Sequence, residues 1–209
     1  GGTDVFLAEY GPRGVSTDAS TRVQFGSAAD DAATAAIASD ESAPSQFIYV
    51  AGWTDGRIDP SGADPIGRAA WIARYSDAGA RSWIKMYDTI GSDRVVDLVY
   101  QTNTDGGLLF MLVESTTNNI RTPRVVRVAL ATGAFTESWV DNSGIDQSAT
   151  GIAFDNRTNN GRDYDIYIQG RAASALPGAV SQNGIANGGA YVRKISSSGS
   201  SVWVTHWGS

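Results

Sequence analysis

Apolar and polar residues alternate along the chain in short runs of strand length, separated by turns rich in glycine and aspartate. No stretch of any length keeps the 3.6-residue period of an amphipathic helix. The stretch from Ala70 to Glu114 shows the pattern most fully. It runs Ala70-Trp71-Ile72-Ala73-Arg74-Tyr75, a turn at Ser76-Asp77-Ala78-Gly79, then Ser82 to Tyr87 and a second turn at Gly91-Ser92-Asp93. Val95 to Gln101 follows and, after Asn103-Thr104-Asp105-Gly106-Gly107, so does the unbroken apolar run Leu108 to Val113. That run is too short to span a bilayer and has the length of a strand buried on both faces. The spacing predicts a four-stranded antiparallel unit. Ala28 to Ala38 is alanine-rich, but its alignment with Val95 to Gln101 predicts a strand there too.

The parts of this unit recur. Tyr10, Tyr75, Ala129 and Ile195 each lie four residues before a glycine (Gly14, Gly79, Gly133, Gly199). This makes Phe6, Trp71, Val125 and Tyr191 equivalent and predicts one packing position repeated around a core. A second strand carries Trp83, Trp139 and Trp203 in three of its four copies, and glycine follows it at Gly26, Gly91, Gly144 and Gly208. Aspartates stand just beyond the first three of these glycines: Asp30 and Asp31, Asp93, and Asp146. The fourth copy comprises two strands. Connections vary: Thr54 to Arg68 and Arg171 to Gly189 are long, and Ser115 to Pro123 is short.

The motif Gly-Gly-x-Asp-Val-Phe-Leu-Ala-Glu-Tyr, a glycine turn, a tryptophan-bearing strand, Gly-x-x-x-Asp and a closing Tyr-Val-Ala-Gly resembles the bacterial β-propeller repeat family. The resemblance covers nearly the whole chain and is closest over residues 1–54. It is weakest in the third unit, where Arg124-Val125-Val126-Arg127 replaces the aromatic strand. It implies an all-β fold of four-stranded antiparallel blades packed around an axis. Blades are expected at 1–56, 68–116 and 122–172, with a half blade at 188–209, so that about three and a half blades leave the ring incomplete. On this reading Ser201 to Trp207 is an open edge strand, and the 209 residues belong to a longer polypeptide or an assembly that covers both open ends. The resemblance also implies a secreted or cell-surface location and, for most members, no assigned catalytic activity.

Composition narrows the chemistry. The formal charge of −6 argues against nucleic acid as a partner. The absence of cysteine excludes disulfides, thiolate nucleophiles and zinc fingers, and a single histidine, His206, excludes a multi-histidine metal centre. No apolar run approaches the length of a membrane span, and Gly1-Gly2-Thr3-Asp4 lacks the features of a signal peptide, so any targeting signal is expected outside these residues.

Candidate sites lie on the turns. Asp30, Asp31, Asp93 and Asp146 recur at one loop position, where carboxylates could coordinate calcium; the plainer reading is that each caps its own turn. Trp53, Asp55, Arg57 and Asp59, with Asp64, lie on the long loop after the first unit. An aromatic face beside charged groups could form a glycan or partner platform, against the alternative that Trp53 packs over the blade edge while the charges face water. Asn156-Arg157-Thr158 is a glycosylation sequon that puts Asn156 on a hairpin loop. The stretch from Ser76 to Trp83 resembles the Asp-box turn of sialidase propellers, with its spacing off by one residue on each side, and is expected to be a plain β-turn. His206 has no second histidine or nucleophile elbow to work with and is expected on a strand facing solvent or a neighbouring blade. No pair of catalytic carboxylates can be nominated. The chain is thus expected to be a non-catalytic structural or adhesive module. A carbohydrate-binding propeller, and part of a hydrolase or lyase whose site lies in other blades, are the alternatives.

Overall fold

The computed structural model describes residues 2–8, 22–39, 46–102, 107–156, 164–182 and 188–208. Every regular element among them is a strand, as the pattern predicts. An N-terminal ribbon pairs β1 (Val5–Ala8) with β2 (Arg22–Phe25). The first sheet has the order β3 (Asp31–Ala38), β4 (Phe47–Thr54), β5 (Ala69–Ser76), β6 (Arg81–Tyr87). The middle sheet runs β7 (Ser92–Gln101), β8 (Leu108–Thr117), β9 (Ile120–Val128), β10 (Phe135–Val140). The last sheet runs β11 (Gln147–Asn156), β12 (Tyr164–Ala172), β14 (Gly189–Ser196), β15 (Ser201–Trp207), with β13 (Ala179–Gln182) added at its edge. The described residues form no closed ring of sheets.

Hydrogen bonding cuts across the sequence repeat. Each sheet joins the third and fourth strands of one repeat to the first and second of the next: β4 pairs with β5 from Phe47↔Ser76 to Thr54↔Ala69, while β6 and β7, four residues apart in sequence, belong to different sheets. Ala70 to Glu114 is therefore a repeat in sequence but spans two sheets in space. The same phase joins β14 to β12, so that β14 and β15 complete a sheet begun by β11 and β12. The expected open edge at Ser201–Trp207 is lined in parallel by β13, which pairs with Val204 to Trp207.

Three-fold repetition survives in fine detail. The first strand of every sheet carries a bulge, at Thr34, Val96 and Thr150, and the last antiparallel strand carries another, at Ser82, Ser138 and Val202. A bulge inserts one residue and so reverses which side chains face each side of the sheet beyond it. The sheets pack through these first strands. Thr34 Oγ1 donates to the Val95 carbonyl at 2.6 Å, and the Ile152 amide donates to Asp97 Oδ2 at 3.1 Å. β8 is buried from Leu108 to Glu114, as its apolar run predicts. Between the first and middle sheets lie Tyr49, Ile72, Leu109 and Met111, and between the middle and last lie Phe110, Leu112, Ile166 and Tyr191.

Two aromatic positions depart from expectation. Phe6 is 60% exposed while its neighbour Val5 is 2% exposed, so Phe6 is not buried as Trp71 and Tyr191 are, and Val125, though buried, faces the following sheet where those two face the preceding layer. A one-residue offset on a strand suffices for this, because adjacent side chains face opposite ways. Of the three tryptophans, Trp139 is buried and Trp83 half-buried, but Trp203 is 39% exposed. In the first two sheets this side chain points at the next sheet. Trp83 Nε1 donates to the Leu130 carbonyl of the β9–β10 turn at 3.1 Å, and the Arg193 guanidinium lies 5.0 Å from the Trp139 ring centroid. No described sheet follows the last one, and Trp203 lies opposite Lys194 and beside Tyr167, 6.1 Å away between ring centroids.

Candidate functional site

The repeated aspartates are tied into their own turns. Asp31 accepts from the Ser27 amide and hydroxyl, and Asp93 from the Thr89 amide and hydroxyl four residues earlier and from the Ser115 hydroxyl. The third sheet repeats the device in neutral form, with Gln147 Nε2 donating to the Ser143 hydroxyl at 3.1 Å. All three capping side chains are fully buried. Burying a carboxylate is tolerated here because each one gathers several donors from a turn that would otherwise leave them unsatisfied. Asp30 accepts from the Thr3 amide at 2.8 Å, and Asp146 forms a two-pronged pair with Arg121 at 2.9 and 2.6 Å. Arg121 also holds the Asp146 carboxyl below the usual range. The four aspartates thus lie on three separate turns, Asp30 beside Asp31 on the first. Among the described residues no group of three or more His, Asp or Glu side chains is placed to hold a metal ion.

The residues of the long loop separate into three groups. Arg68 bridges Trp53 and Asp55: its guanidinium carbon lies 3.6 Å from the Trp53 ring centroid, and Nε and Nη2 reach the Asp55 carboxylate at 2.8 and 2.9 Å. The Arg68 bonds hold the Asp55 carboxyl low. One face of Trp53 is thereby covered. Arg57 pairs with Asp64 at 3.5 Å, both largely exposed. Asp59, expected to face water, is instead 6% exposed. Burial pushes its carboxyl up, but the Ser61 hydroxyl and amide and Lys85, 3.3 Å away, more than offset this and leave it low. Asn156 ends β11; the rest of its sequon, and the hairpin at 157–163, lie outside the described residues.

His206 does not face solvent: it is fully buried, against the neighbouring sheet, and among the described residues both ring nitrogens lack a hydrogen-bond partner. The Val202 bulge sets its direction, turning Val204 and His206 toward the middle sheet. On β14, Tyr191 stands opposite His206, and its buried hydroxyl also has no partner among the described residues. Burial, opposed by Arg193 and aided by Asp141 and Glu114, holds the Tyr191 phenol far above its ordinary range. Arg193 and Asp141 form a buried ion pair at 3.0 Å, with the Arg193 pKa lowered by burial. Among the described side chains none is a nucleophile placed against the histidine; Ser181, its register partner on β13, has a side chain outside them.

The face of the last sheet turned away from the middle one is open. Toward its centre is a groove of about 250 Å³ between Asp97, Thr150 and Tyr167. At the Trp207 end of β15 is a larger cleft of about 660 Å³, bordered by Arg121, Ser148, Arg171, Gly188, Ala190 and Trp207. Sequence alone could not find this cleft, because Arg171 and Trp207 meet only through the strand register. The Trp207 side chain is 43% exposed and Val202 53%. No family model matches the chain, and no curated protein matches it.

Proposed function

We propose that the chain is a non-catalytic β-propeller-type module that serves a secreted or cell-surface assembly by offering the outer face of its last sheet to a neighbouring protein, either a further copy of itself or another chain. The observation that carries this reading is the fate of one repeated side chain. Trp83 and Trp139 are each met by the sheet that follows, whereas Trp203, at the same place beside the same bulge, stands 39% exposed next to exposed Val202. Large apolar side chains grouped at a sheet surface are what interfaces bury. The secreted or surface setting is supported by the resemblance of the repeat. The carbohydrate platform expected at Trp53 is less well supported, because Arg68 already stacks on that ring.

The experiment is the solution mass of the purified chain across a concentration series, with binding of a dye specific for exposed apolar surface measured alongside. The expected result is concentration-dependent association or strong dye binding, with both abolished by the double substitution Val202→Lys and Trp203→Lys. A monomer at every concentration that binds no dye would overturn the proposal.

A further inference from the structure

The cleft at the Trp207 end of β15 goes beyond that reading. Ser148, Arg171, Ala190 and Trp207 stand directly opposite one another on β11, β12, β14 and β15. Residues paired in this way share a face of the sheet, so they form one cross-strand row. Strands are about 4.8 Å apart, which puts Arg171 and Trp207 about 10 Å from each other with only the Ala190 methyl as the floor between them. The matching row of the first sheet is Ala32, Trp53, Ala70 and Tyr87. There Ala70 is fully buried and Tyr87 is 9% exposed, whereas Arg171, Ala190 and Trp207 are all exposed.

The charge in the cleft is unbalanced. Arg121, on its border, is neutralised by Asp146, while Arg171 has no ion-pair partner among the described residues. One free guanidinium suits one carboxylate, which it can grip with two parallel N–H bonds. Opposite it, the Trp207 indole offers a flat apolar wall of the kind that packs against the C–H face of a sugar ring. Polar groups complete the border: the Ser148 hydroxyl and the backbone at Gly188 and Gly189. Both glycines are required there, since a Cβ on Gly188 (φ +84°) would collide with the Ala172 carbonyl oxygen and one on Gly189 with that of Trp207.

We infer that this cleft binds a uronic acid unit of an acidic polysaccharide, with the carboxylate on Arg171 and the ring against Trp207. The volume of about 660 Å³ accommodates one or two sugar rings. A phosphate dianion would call for more than the single free cation present.

The test is calorimetric titration with tri-galacturonic acid, with Trp fluorescence recorded in parallel and the trimethyl ester of the same sugar as the uncharged control. The free acid is expected to bind, and the ester to bind at least about tenfold more weakly, the loss expected for a charged hydrogen-bonded pair. Arg171→Gln should reproduce the loss with the acid while leaving the thermal midpoint unchanged, and Trp207→Leu should weaken both sugars. The Val202→Lys, Trp203→Lys protein should still bind, because those residues lie about 13 to 17 Å along β15 from Trp207. Retained binding there shows that the sugar is held at the Trp207 end of the face and not by the Val202–Trp203 patch, whatever the outcome for assembly. Absence of binding up to about 10 mM, equal affinity for acid and ester, no effect of Arg171→Gln, or binding of acidic peptides in place of the uronate would overturn the inference.

Discussion

The three tryptophans Trp83, Trp139 and Trp203 occupy one position of the repeat, and what each contributes depends on its cover. Truncating a large buried aromatic removes its transfer free energy and leaves a cavity, so Trp139→Ala is expected to cost about 3–5 kcal/mol. Trp203, 39% exposed, has less to lose, and Trp203→Ala is expected to cost under about 1 kcal/mol in the unassociated protein. Chemical denaturation of the two variants at low protein concentration checks this. Equal large losses would mean that Trp203 is covered within the chain. The sequence marks the shared position but not the difference, because the difference lies in which sheet comes next. His206 shows the same limit: its burial follows from the Val202 bulge, which moves no residue type and leaves no trace in the pattern of apolar positions.

Among the elements, the hairpin turns link one sheet to its neighbour. Gly199, in the β14–β15 turn, has φ +78°, and a Cβ there would lie within 2.3 Å of the Ser138 carbonyl oxygen on β10. Gly133, in the β9–β10 turn, sits in the same way against Trp83 and Lys85 on β6. Gly144 also has positive φ, but nothing lies within 4 Å of its Cβ position. Gly144→Ala should therefore cost only the left-handed backbone penalty of about 1–2 kcal/mol, while Gly199→Ala should cost more, since the turn must also retreat from β10. Thermal unfolding of the pair measures the difference, and equal losses would show that the turn does not dock. Strand positions were legible in the sequence because period-two patterning and turn residues are local signals. That is why β8 reads as a strand buried on both faces; β3, with its alanines, was legible only through its alignment with Val95 to Gln101 in the repeat. Partnership was less legible. The long connection between β4 and β5 hid an antiparallel pair, and the four residues between β6 and β7 imitated a hairpin. One local signal did point to the true phase: Asn118 and Asn119, both at positive φ, form the two-residue loop of the β8–β9 hairpin between Thr117 and Ile120.

Taken as a whole, the molecule is a succession of sheets in which each outer face is completed by the next, and the last has no described successor. The site residues follow the same logic. Turn-capping by Asp31 and Asp93 could be anticipated, because aspartate in a tight turn has a local job. The Arg171–Trp207 cleft could not, because its members come together only through cross-strand register. The central claim is that the outer face of the last sheet is an interface. Its most direct test is hydrogen exchange of the intact chain, read by mass spectrometry at low and at high protein concentration. The account predicts that peptides covering residues 201–207 gain protection at high concentration, while those covering Trp83 and Trp139, already met by neighbouring sheets, do not change. Exchange in 201–207 that is independent of concentration, or protection that rises only elsewhere, would contradict it.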